Sequence, residues 1–193
     1  MTASLEAFFD RDAVTVAREL IGAELRVGRA GGIITETEAY RPDDPASHSY
    51  RGQTPRNAAM FGRPATAYVY RSYGLHWCLN AVCRPGSAVL LRAIEPRWGI
   101  VLMMERRGLS DLRKLASGPG RLTQALGVDA GLNGCLLSDP PFALRLSPGQ
   151  DIVCGLRIGI SQARHEPWRF GLAGSAFVSR PFPNHQPRDA EIR

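Results

Sequence analysis

An α+β fold in a single domain, with an antiparallel sheet at its centre, is what this sequence predicts. Three observations carry that expectation. Short runs rich in β-branched and aromatic residues recur along the chain, helix-like patterns are few, and no internal repeat or linker divides it. The length of 193 residues suits one ordinary domain with a real core.

Taken in order, Asp10 is placed to cap a helix running through Val14, Val16, Ala17, Leu20 and Ile21, which Gly22 ends. Strands follow over 23–28 and 32–40, joined by a Gly-rich turn at Arg29-Ala30-Gly31. Alternation along the second strand puts Glu36, Glu38 and Tyr40 on one side, with Ile33, Thr35, Thr37 and Ala39 on the other. Residues 41–65 read as loop, being rich in Pro, Asp, Ser and Arg. Strands are then expected over 66–72, 75–83 and 87–94, with Tyr73-Gly74 at the turn between the first two. Helices are expected from Trp98 to Arg107 and from Gly118-Pro119-Gly120 to Gly127. Strands return over 142–146, 152–160 and 176–179, and the Pro-rich end from Pro181 is expected to fray.

Composition narrows the function. A hydrophobic share of 44% excludes wholesale disorder, and no apolar run is long enough to span a bilayer. Met1 to Phe9 lacks a basic start followed by an apolar stretch, so a cytoplasmic protein is expected, nucleoid-associated in a bacterium. A net charge of +6 favours a polyanionic partner. Lys114 is the only lysine among the 24 cations; the rest are arginines, whose planar fork suits phosphate. The four cysteines, Cys78, Cys83, Cys135 and Cys154, form no C-x-x-C pair. Buried reduced thiols are therefore expected, with no metal and no cofactor. The H-x-E and P-C-x-x-C pattern of the zinc deaminases is also missing.

A solvated strand face would account for Glu36 and Glu38. Their company argues otherwise: Ala46-Ser47-His48-Ser49 follows, and then the aromatic cluster from Tyr68 to Trp77. A carboxylate, stacking rings and positive charge are the parts needed to hydrolyse something on a nucleic acid. Core packing accounts for Tyr68 and Trp77. Tyr73 is different, because a hairpin tip seldom reaches a core, and an aromatic wedge that enters a base stack belongs there. Alternation puts Arg92 on the same face as Leu90, either turned inward or paired with Glu95. His48 reads as structural or as a ligand, and Asn80 as a residue satisfying nearby backbone. The Ser117-Gly118-Pro119-Gly120-Arg121 segment either caps a helix or offers free N–H groups to a phosphate.

A set of ordered motifs then resembles one family. Thr37-Glu38-Ala39-Tyr40, Ala46-Ser47-His48-Ser49, Gln53-Thr54-Pro55-Arg56-Asn57, Met60-Phe61, Tyr68-Val69-Tyr70, Tyr73-Gly74, Leu90 to Pro96 and Ser117-Gly118-Pro119 are similar to those of the mammalian-type alkyladenine (3-methyladenine) DNA glycosylases. The likeness runs from the first helix to about Ser179. It implies a curved antiparallel sheet with peripheral helices and a protruding β-hairpin. It also implies base-excision repair: a monomer acting on double-stranded DNA containing damaged purines, with no membrane partner. Glu38 would activate water and Arg92 would help hold it. Tyr40, His48, Tyr70 and Asn80 would form the base pocket, Asn80 disfavouring guanine. Tyr73 would intercalate, and Thr54, Arg56, Met60, Leu75 and Arg121 would contact DNA. Two departures stand out: the Tyr40–His48 spacer is about one residue shorter than in mammalian members, and His76-Trp77 replaces the aromatic pair after the wedge.

The chemistry stands without the resemblance. An alkylated purine is cationic and leaves easily, so the site needs a water at the sugar carbon and negative charge near an oxocarbenium-like transition state. One carboxylate supplies both, unlike the paired carboxylates of most glycosidases. The nucleotide must first be turned out of the duplex, and a flat cation stacks well on Tyr40 and Tyr70. With Lys114 as the only lysine, Schiff-base strand cleavage is not expected, so the enzyme should be monofunctional. Two rivals remain. A non-catalytic nucleic-acid-binding β-barrel would keep the basic face and Tyr73 without requiring Glu38. A small-molecule glycoside or nucleoside hydrolase should show a second carboxylate, for which Asp43-Asp44 is the only nearby pair.

Overall fold

Two short helices open the chain in a computed structural model that describes residues 4–183. Leu5–Phe9 (α1) and Ala13–Glu19 (α2) are capped separately. The cap of α2 is Asp12, whose carboxylate accepts from the amides of Val14 at 3.0 Å and Thr15 at 3.1 Å. Asp10, expected in that role, instead closes the C-terminal end of α1, a helix that the sequence reading missed.

Glu24–Val27 (β1) and Ala30–Tyr40 (β2) form a hairpin, with Val27 already facing Ala30. The turn is therefore Gly28-Arg29, and the expected Arg29-Ala30-Gly31 turn is corrected. Gly31 and Gly32 are spent on close packing inside the strand. A Cβ on Gly32 would lie 2.1 Å from the carbonyl oxygen of Glu95. Ala67–Ser72 (β3), His76–Val82 (β4) and Ala88–Trp98 (β5) follow. Because β5 pairs along nearly all of β2, it runs four residues past the expected end at 94, and the helix Ile100–Arg107 (α3) starts later than expected. Pro119–Leu126 (α4) lies between Gly118 and Gly127, as the sequence predicts. Phe142–Arg145 (β6), Ile152–Gly155 (β7) and Arg169–Leu172 (β8) complete the sheet.

All pairings are antiparallel, in the order β3-β4-β5-β2-β1-β6, with β8 alongside β2 and β7 outside β8. One edge of β2 is thus shared: β1 takes its first half and β8 takes Glu36 to Glu38. This branching curls the sheet into a half-barrel. Helices α2 and α4 pack on it, and the main core of Leu20, Leu25, Ile34, Leu79, Leu91 and Leu122 lies between. A smaller apolar cluster of Met60, Tyr68, Val82 and Ala88 sits apart.

Three register shifts interrupt the β2–β5 ladder, and two of them fall on either side of Glu36. Ile34 faces Ile94, Glu36 faces Ala93 and Thr37 faces Leu91, so Thr35 is extra on one strand and Arg92 on the other. Bulges of this kind re-aim side chains, and here they flank Glu36.

Three further expectations change. The predicted strand over 152–160 stops at Gly155, and residues 156–164 leave the sheet. Residues 176–179 form no strand; the carbonyl of Phe177 instead accepts the Thr35 hydroxyl at 2.7 Å. The 41–65 loop contains a 3₁₀ turn at Ala58–Phe61. Of the tail expected to fray, Phe182 packs against Arg169 at 3.9 Å, and the part beyond Pro183 lies outside the described residues. Among the described residues no helix is long and apolar enough to cross a membrane.

Candidate active site

The concave side of the curled sheet opens into a cleft of about 1040 Å³. Strand β2 contributes Tyr40, β3 Tyr70, β4 His76, Cys78 and Asn80, and β5 Leu90 and Arg92. The 45–60 loop and residues 158–164 close two of its sides, and Arg51, Arg56, Arg71 and Arg164 line it as well.

Glu38 lies under this cleft with no exposed surface. Its Oε2 accepts from the Tyr40 hydroxyl at 2.9 Å and from Arg92 Nη1 at 3.1 Å, while Oε1 accepts from the Ile158 amide at 2.7 Å. A carboxylate offers about four lone-pair sites, and protein donors take three of them. Burial raises the Glu38 pKa; Arg92 and the Ile158 amide oppose that without overcoming it. The Tyr40 phenol is pushed well above its ordinary value, by burial first and by Glu38 next, so it donates to that carboxylate as a neutral group.

Two residues before Glu38, Glu36 is also fully buried. Its Oε1 accepts from Arg92 Nε at 2.9 Å, Arg169 Nε at 2.7 Å and the Ser179 hydroxyl at 2.8 Å, and its Oε2 accepts from the Ser179 amide. Burial alone would raise this carboxyl, but Arg92, Arg169 and the Ser179 amide together hold it below the ordinary value. Arg92 is thereby fixed from behind: Glu36 takes Nε, Ser179 takes Nη2 at 3.2 Å, and Nη1 is left for Glu38. Glu95, considered as a partner for Arg92, pairs with Arg97 instead.

One wall of the cleft is aromatic. Tyr68 and Tyr70 stack at 5.4 Å, and the His48 ring stands edge-on to Tyr70 at 4.5 Å. His48 Nδ1 and the Tyr68 hydroxyl are 2.9 Å apart. Burial, and then the Arg56 charge, lower the His48 pKa, which favours the neutral ring. Asn80 donates from Nδ2 to the Tyr68 carbonyl at 3.0 Å, so it does satisfy backbone while also lining the cleft.

The structure brings Glu38, Arg92, Tyr40, His48, Tyr70 and Asn80 together, and Thr54, Arg56 and Met60 line the same cleft. The Thr54 hydroxyl bonds within its loop to Asn57 at 3.0 Å, and Met60 is buried in the smaller apolar cluster. Tyr73 and Leu75 stand at the tip of the β3–β4 hairpin, 86% and 78% exposed. Tyr73 holds a positive φ of +49°, an uncommon conformation for a residue with a side chain. Arg121 is exposed on the first turn of α4, 3.4 Å from Ser117, and does not line the cleft. Cys78 and Cys83 are buried, whereas Cys135 and Cys154 are only partly so. Among the described residues no three of His, Cys, Asp and Glu gather as a metal site requires.

Sequence reasoning missed the supports. Besides Glu36, Arg169 and Ser179, these are Arg157 and Asp44, whose side chains form a fully buried ion pair. Arg157 Nη2 lies 3.1 Å from Asp44 Oδ1, and Nη1 bonds both Asp44 Oδ2 and the Ala39 carbonyl, the latter at 3.0 Å. Its guanidinium lies 4.8 Å from the Tyr40 ring and 5.1 Å from Trp168. The one available signal was an arginine set among apolar residues in Leu156-Arg157-Ile158.

Comparison with known proteins gives a family and several near relatives. A family model described as methylpurine-DNA glycosylase matches residues 7–176. A protein of Agrobacterium fabrum named "Putative 3-methyladenine DNA glycosylase" is 63% identical over 178 residues, covering 92% of this chain and 92% of its own. Proteins of the same name from Rhizobium etli and Nitrosospira multiformis are 61% and 58% identical. They cover 92% and 90% of this chain, and 89% and 92% of their own.

Proposed function

The chain belongs to the methylpurine-DNA glycosylase family, and from that premise we propose that it removes damaged purines from double-stranded DNA by Glu38-assisted hydrolysis. It is a DNA N-glycosylase of the repair type. The substrates we assign are 3-methyladenine, 7-methylguanine, ethenoadenine and hypoxanthine, turned out of the helix as a base of this size must be for hydrolysis. The observation that carries this reading is the buried Glu38 carboxylate, held by the Tyr40 hydroxyl, Arg92 and the Ile158 amide, all three from residues that line the aromatic cleft.

A water activated by the Glu38 carboxylate is the nucleophile. Its oxygen attacks the sugar carbon C1′ as the C1′–N bond breaks, and the bonding electrons leave with the purine. The water proton passes to Glu38, and the sugar is left as an abasic site. Ionised Glu38 also offsets the positive charge that builds on the sugar. Arg92, fixed by Glu36, keeps the carboxylate aimed. Tyr40, His48 and Tyr70 hold the base by stacking, and Asn80 disfavours guanine by crowding its 2-amino group. Tyr73 fills the gap left in the duplex. Thr54, Arg56, Met60, Leu75 and Arg121 contact the DNA, and the protein acts as a monomer.

Lys114 pairs with Asp111 at 3.0 Å and does not line the cleft, which supports base removal without strand cleavage. The test is single-turnover excision from duplexes carrying ethenoadenine, hypoxanthine or 3-methyladenine. The expected product is free base and an intact abasic strand. No release from any of the three would refute the reading, as would borohydride trapping of an adduct through Lys114 for the monofunctional part.

A further inference from the structure

Tyr40 lines the cleft, and Arg157, outside the cleft, stands over its ring with the guanidinium carbon at 4.8 Å. The guanidinium is held there by bonds from Nη1 and Nη2 to Asp44. Arg157 Nε is buried without a partner, so this position is kept despite an unsatisfied donor. The Arg157 charge reaches Tyr40 electrostatically, lowering the phenol pKa against the larger effect of burial.

We infer that Arg157, held by Asp44, is a specificity-determining residue that weakens the preference of the Tyr40 platform for cationic over neutral purines. This rests on the function proposed above, with Tyr40 stacking on the flipped base. An aromatic ring attracts a cation through the negative potential of its face. A guanidinium over the ring draws that potential away, so the ring attracts a cationic base less. Stacking on a neutral base depends mainly on contact and is little changed. Bond breaking acts in the same direction. A neutral purine departs with negative charge building on it, which a nearby positive charge stabilises, whereas a cationic purine departs neutral. The role is that of a positioning residue: Arg157 touches Tyr40 and not the substrate.

The test compares single-turnover excision of cationic 3-methyladenine and neutral ethenoadenine from one duplex context. Two charge-free pairs are made, Arg157→Gln with Asp44→Asn and Arg157→Met with Asp44→Leu. The apolar pair guards against misfolding, since exchanging a buried ion pair for apolar residues of similar volume is often neutral in stability. The ratio of the 3-methyladenine rate to the ethenoadenine rate is expected to rise about threefold to tenfold in whichever pair melts like the native protein. Arg157→Lys, which keeps the charge but loses the planar fork, is expected to raise the ratio clearly less than the charge-free pairs do. An unmoved ratio in a folded charge-free pair overturns the inference, and so does an equal rise in Arg157→Lys, which would mean that shape and not charge matters. Failure of the native protein to release either base would instead remove the proposed function itself.

Discussion

Glu36 and Glu38 leave the same strand two residues apart, both fully buried and both bonded to Arg92. Their surroundings drive them in opposite directions. Around Glu36, two arginines and two groups of Ser179 fill the carboxylate and hold its pKa down. Around Glu38, burial raises the pKa, and one shared arginine, an amide and a phenol are too few to offset it. Equal burial therefore does not set the charge state; the number and sign of the partners decide. Glu36 closes an ionic knot, and Glu38 beside it is left with fewer partners.

The contrast can be broken most directly at Glu38. Glu38→Gln keeps the shape and removes the basic lone pairs, so single-turnover excision should fall at least about 10²–10⁴-fold. Stability should be unchanged or slightly higher. An acid whose folded pKa is raised stabilises the fold when protonated and disfavours it when ionised, so a neutral Gln relieves that cost. Near-native rates would end the assignment. Glu36→Gln should invert the pattern. It leaves Arg169 and part of Arg92 buried without a counter-charge, a loss of about 3–5 kcal/mol, visible as a lowered thermal midpoint. Its rate per folded molecule should drop less than that of Glu38→Gln. Equal midpoints for the two variants would erase the distinction.

Acid titration sharpens the comparison. The proposed mechanism uses ionised Glu38, so excision should fade as pH drops through its own pKa, above the ordinary value of 4.5. Glu36 has a lowered folded pKa, so its stabilisation is present above the unfolded carboxylate value and is lost as pH falls through the lowered one. Inactivation should thus precede unfolding and reverse on neutralisation. Arg92 lowers the Glu38 pKa, so Arg92→Gln should move the acid limb to higher pH. Coincident loss of rate and of near-ultraviolet circular dichroism would contradict this order. The smallest effect belongs to Tyr73, far from both glutamates in role. Tyr73→Ala should slow excision from a fully paired duplex more than from a mismatch, because unstacking of a few kcal/mol is offset by the wedge. Equal slowing on both would leave Tyr73 as a packing residue.

Most of the cleft wall was legible in the sequence because it sits on alternating strands. Tyr68 to Ser72 and His76 to Asn80 read as a hairpin, and Glu38 with Tyr40 as one face of a strand. The supports were not legible. Arg157 meets Asp44 across 113 residues and Ser179 meets Glu36 across 143, with nothing local to announce either pairing. Strand β8 escaped because four residues beside Pro167, with Gly171 inside them, carry too little periodicity. The bulge at Arg92 was equally hidden, since it follows from the β2 register.

The bonds from Ser179 to Glu36 and Arg92 have a practical reach. The family match ends at residue 176, three positions before that serine. A truncation drawn at the family boundary would keep every cleft-lining side chain and still cut the clasp that holds the two strands' charges in place. Minimal versions of this enzyme should therefore run at least through Phe182, whose ring covers Arg169, and tags or fusion partners belong beyond it.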